Sequence, residues 1–86
     1  MALKDWREKS TLTEKEALIS IRHEMYLNKI GEMSRGDLNW IIDDIIGKTK
    51  LTPSLKNILK AKDEWNNYGN ETTFYKKVRK IFKQKI

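Results

Sequence analysis

Few residues in this chain have types and spacings that could do chemistry. Gly47-Lys48-Thr49 carries the final letters of a phosphate-binding loop. That loop also needs a glycine five residues earlier and a preceding strand, so that backbone N–H groups and the lysine cradle phosphates. Position 42 is Ile inside a helical pattern, so nucleotide binding is excluded and Gly47 reads as a helix stop. His23 is the only histidine, whereas a metal site needs several ligands converging. Asp43 and Asp44 are adjacent, so on a helix they diverge. No nucleophile or base with a second polar partner is visible, so the chain reads as non-enzymatic, with no cofactor and no metal. The absence of cysteine excludes thiolate sites and a disulfide framework. The sequon Asn70-Glu71-Thr72 is explained as helix capping.

The one polarised feature is the C-terminal stretch, residues 75–86. It holds Lys76, Lys77, Arg79, Lys80, Lys83 and Lys85 and no acid. The whole chain has 18 Lys+Arg and 12 Asp+Glu. The six tail cations therefore account for all of the net charge of +6, and the rest is neutral. Cations near a helix C-terminus complement its dipole by about 0.3–1 kcal/mol each, but six without an acid exceed that need. The charge implies an acidic partner. Nucleic acid is favoured, through phosphate neutralisation without base specificity. An acidic protein surface is next and an anionic membrane surface behind it.

At 86 residues the chain has room for one small domain, 1–86, with a modest core. No apolar run approaches the roughly 20 residues that span a bilayer. The N-terminal stretch lacks the apolar region of a secretory signal, which places the protein in the cytoplasm. Heavy Lys, Ile and Asn usage fits a bacterial or phage source. Leu3 and Trp6, three apart, predict an N-terminal helical turn.

Thr13 with Glu16 has the form of a capping box, with Thr11 and Glu14 as a second register. A helix is predicted over roughly residues 14–30, closed by Gly31. Ala17, Leu18, Ile21 and Met25 share one face; Ile19, Tyr26 and Ile30 share another. Two apolar stripes predict a central place in a bundle. A second helix over 35–46 starts at Ser34, with Asp37 as capping partner, and buries Leu38, Ile41, Ile42, Ile45 and Ile46. Thr52-Pro53 opens a third, with Leu55, Ile58, Leu59, Lys62 and Trp65 at core spacing and the Lys62 ammonium in water. Residues 66–70 read as its terminator. Asn70 or Thr72 caps a last helix over 71–85, with Phe74, Val78, Ile81 and Phe82 on one stripe. The architecture expected is all-α, a compact bundle of four short helices with an extra N-terminal turn.

A helix-turn-helix reader is disfavoured, because the 47–52 connection is too long and the third helix shows Asp63 and Glu64 outward. Trp40 lies on the outer side of the second helix amid aspartates. With Tyr26 and Tyr68 it is a candidate protein-interface anchor. Those aspartates also complement the lysine-rich helix: a meeting within one molecule spends part of the tail's charge internally, and a meeting between molecules makes a homodimer. Residues 55–65, then Phe74 and the basic helix, resemble the helical core of bacteriocin immunity proteins, which are small cytoplasmic four-helix bundles. The likeness covers about a third of the chain. It implies an inhibitor or immunity factor as the alternative to an accessory or regulatory protein that binds an acidic surface through its last helix.

Overall fold

The computed structural model describes residues 5–86. Its elements are a 3-10 turn, Trp6–Glu8, and four α-helices, with no strand among the described residues. The all-α expectation is met. Internal contacts divide the chain into two units, Met1–Lys50 and Leu51–Ile86.

The first unit holds the 3-10 turn, α1 (Glu14–Lys29) and α2 (Arg35–Gly47). At the start of α1, Glu16 N–H donates to Thr13 Oγ1 at 3.2 Å and Thr13 N–H donates back to Glu16 Oε1 at 3.0 Å. Two orphan donors are thereby satisfied reciprocally, in the first of the two registers the sequence offers. α1 ends where Gly31 takes φ 85°. Glu32 N–H then reaches Leu27 O at 2.9 Å, and Gly31 N–H reaches Asn28 O at 3.1 Å. This pair of bonds needs a left-handed residue, which glycine supplies without a Cβ clash. At α2, Asp37 N–H donates to the Ser34 hydroxyl at 3.1 Å.

The first stripe of α1, Ala17, Leu18, Ile21 and Met25, is buried, as are Leu38, Ile41, Ile42, Ile45 and Ile46 of α2, against which α1 packs. Burial of each large aliphatic side chain contributes about 1.5–3 kcal/mol. The second stripe differs from expectation. Tyr26 is 58% and Ile30 49% exposed. Ile19 and Tyr26 wall a surface cavity of about 780 Å³ with Trp6 and Met33. The stripe with Leu18 and Ile21 at 0% exposure is the sealed one, on the helix that packs against α2.

Trp6 is buried in its turn as the sequence predicts, while Leu3 lies outside the described residues. Gly47 is the last residue of α2, without positive φ. The helix closes instead through Lys48 N–H to Ile45 O at 3.1 Å.

The second unit is a pair, α3 (Pro53–Tyr68) and α4 (Glu71–Lys85). Thr52 caps α3 and Pro53 occupies its first turn, where a missing N–H is harmless. α3 runs through Asn66 and Asn67 to Tyr68 and is stopped within the predicted 66–70 terminator by Gly69 at φ 72°. Asn70 caps α4, its Oδ1 accepting from Thr73 N–H at 3.0 Å. Leu55, Ile58, Ala61 and Trp65 are buried on α3, and Ala61 takes the place predicted for Leu59. Lys62 is itself buried, leaving its ammonium far less water than expected. No helix among the described residues is long and apolar enough to cross a membrane.

Candidate anion-binding face on the last helix

α4 is oriented by Phe74, Val78 and Phe82, four residues apart and all buried. Phe74 stacks on Trp65 of α3, with ring centroids 4.6 Å apart and planes at 17°. At 3.6 residues per turn, fixing that side turns positions 76, 79, 80 and 83 outward together. Lys76, Arg79, Lys80 and Lys83 thus share one side of the helix, and all four are exposed, as are Lys77 and Lys85.

Lys76, Lys80, Lys83 and Lys85 pair with no carboxylate among the described residues. Lys77 does, donating to Glu64 Oε2 of α3 at 2.5 Å. That hydrogen bond, the Lys77 charge and, more weakly, Lys60 hold the Glu64 carboxyl below its ordinary pKa. The one acid of α4, Glu71, is in the first turn. It lies about 18 Å along the axis from Lys83, beyond the roughly 8–10 Å over which exposed charges act in physiological salt. Arg79 rests over the Tyr75 ring, 5.9 Å from its centroid. Burial, helped by Glu71 and opposed by Arg79, pushes the Tyr75 phenol up to about 12, so it stays neutral. Phe82 is buried and Tyr75 half-buried, edge-on to Phe74 at 5.8 Å. The basic side therefore offers charge without an open aromatic platform.

The interface candidates are all exposed: Tyr26 of α1, Trp40 of α2 at 51%, and Tyr68, the last residue of α3, at 82%. The Trp40 indole donates to Asp37 Oδ1 at 3.3 Å, which orients the ring along its own helix.

Two features escaped the sequence. Lys48 Nζ donates to three main-chain carbonyls, Trp6 O (3.1 Å), Arg7 O (3.2 Å) and Lys9 O (2.8 Å). The lysine of the loop-like tripeptide is thus a clamp on the 3-10 turn. Nothing local signals this, since its acceptors are backbone atoms some 40 positions away. Glu24 is 2% exposed. Its Oε1 accepts from Trp6 Nε1 at 2.9 Å, with Arg7 Nη1 at 3.6 Å, and its Oε2 has no hydrogen-bond partner among the described residues. A signal existed here: Glu24 stands seven after Ala17 and three after Ile21, on the buried stripe. No group of three or more His, Asp or Glu placed to hold a metal occurs among the described residues.

Compared with family models, with curated proteins and with solved structures, the chain finds no match in any of the three, so the likeness of residues 55–65 to immunity proteins rests on those residues alone.

Proposed function

We propose that this protein is a non-enzymatic accessory factor that binds the backbone of nucleic acid through the outward side of α4. The observation that carries the reading is the group Lys76, Arg79, Lys80 and Lys83, exposed on one side and with no carboxylate partner among the described residues. Cations so placed neutralise phosphates and release counterions, giving salt-dependent affinity without base readout. Two competing surfaces fit less well. A membrane-surface helix inserts its apolar stripe, but Phe74, Val78 and Phe82 are already buried. A protein hot spot needs an aromatic or aliphatic anchor amid the charge, and the outward side of α4 presents none.

The test is a gel shift with mixed-sequence duplex and single-stranded DNA at about 50 mM and about 200 mM salt. Shifts at low salt that fade at high salt, and vanish with Lys76/Lys80/Lys83→Glu, are expected. No shift at low salt overturns the reading. A second reading, a protein-binding inhibitor, is favoured by the exposure of Tyr26, Trp40 and Tyr68. It requires a partner captured by the wild type and lost on Trp40→Ala, with little salt dependence.

A further inference from the structure

A groove of about 330 Å³ runs between α3 and α4. Its rim carries Lys60 and Asn57 from α3 and Lys77, Lys80 and Gln84 from α4, with Glu64 as the only acid. Three ammonium groups thus surround one carboxylate, and the groove is left with a charge of +2. The lysines come from two helices, so the groove adds α3 to the outward α4 side, with Lys80 common to both. Glu64 already reports what the groove attracts. Its ionised form is stabilised first by the Lys77 hydrogen bond, and Lys60 adds to it from α3.

We infer that the α3–α4 groove is a seat for one backbone phosphate, in which Glu64 is a built-in competitor. The inference rests on the nucleic-acid reading and adds α3 to the binding surface. A phosphodiester carries one negative charge, as Glu64 does, and offers more acceptor oxygens. Lys60 and Lys80 contact it directly, with the Asn57 and Gln84 amides as neutral donors, and Lys77 divides its protons between phosphate and Glu64. The carboxylate repels the incoming phosphate while holding Lys77 in place. Affinity is therefore set below what the cations alone give, and the complex dissociates readily.

Fluorescence anisotropy with a labelled single strand of about 16 nucleotides tests this directly. Glu64→Gln keeps the side-chain shape and removes the charge. It should tighten binding about two- to fivefold at low salt, the range of one exposed charge pair. Lys60→Ala should weaken binding by a similar factor and reduce the salt slope by about 0.7, the value of one phosphate contact on a single strand. Lys56→Ala is the control: that lysine is also exposed on α3 but does not line the groove. It should change affinity much less than Lys60→Ala. If Lys56→Ala and Lys60→Ala weaken binding equally, or Glu64→Gln fails to tighten it, the seat is wrong while the α4 reading stands. If the wild type binds anionic vesicles or an acidic peptide but no oligonucleotide, both fall.

Discussion

At the scale of single residues, the firmest chemistry in this chain holds its own structure. Trp6 donates to a carboxylate that is almost wholly buried. Trp6→Phe keeps an aromatic ring but leaves Glu24 Oε1 without that donor, and a buried acceptor so orphaned costs about 1–3 kcal/mol. The expected result is an unfolding free energy lowered by that amount, seen as a lower urea midpoint at unchanged slope; a midpoint equal to wild type would show that the bond contributes nothing. Glu16 is a second case. The Lys9 ammonium bonded to it, followed by the Thr13 N–H, lowers its carboxyl from 4.5 to about 2. Because the folded value is depressed, the stabilisation is complete above pH 4.5 and is lost as pH falls towards 2. Lys9→Met should therefore melt below wild type at neutral pH, with the gap in Tm closing over that acid window. A gap constant with pH would contradict the assignment. Glu24 was legible in part, from its register on α1. Lys48 was not, because a side chain that clamps main-chain carbonyls leaves no pattern in residue types.

At the scale of elements, the sequence carried starts and stops well where a cap does the work. Thr13, Ser34, Thr52 and Asn70 all cap as their positions suggest. It misled where a polar run looked like a turn. Asn66 and Asn67 stay helical because the stop is supplied two residues later, by Gly69 in the left-handed region. The two apolar stripes of α1 were visible in its periodicity, but which one is sealed depends on the facing surface, and periodicity cannot show that. Glycines give an opposed pair of predictions. Gly36 lies inside α2, and a Cβ there meets nothing within 4 Å. Gly36→Ala should stabilise by about 0.4–1 kcal/mol through the unfolded chain. Gly69 also has open space but holds φ 72°, so Gly69→Ala should destabilise by about 1–2 kcal/mol. Thermal melts of the two variants should move in opposite directions; movement in the same direction would refute the backbone argument.

At the scale of the whole molecule, length predicts one domain, while internal contacts group the helices into Met1–Lys50 and Leu51–Ile86. We propose that the two units unfold as one cooperative body. Residue-resolved NMR through a urea titration checks this: amides of Leu18 and Ile42 should share a midpoint with those of Ile58 and Val78, and separate midpoints would mean two domains. The charge asymmetry was fully legible in composition. Much of its geometry was legible as well, since Phe74, Val78 and Phe82 of the expected stripe are buried and so turn Lys76, Arg79, Lys80 and Lys83 outward, while Ile81 of the same stripe is only half-buried. The central claim, that this side binds phosphates, is tested most directly by the salt dependence of oligonucleotide affinity. With four or five cations engaged on a single strand, log K should fall against log salt with a slope of about −3, and Lys76/Lys80/Lys83→Ala should reduce it to about −1. A slope near zero, or one unchanged in the triple variant, would contradict the account.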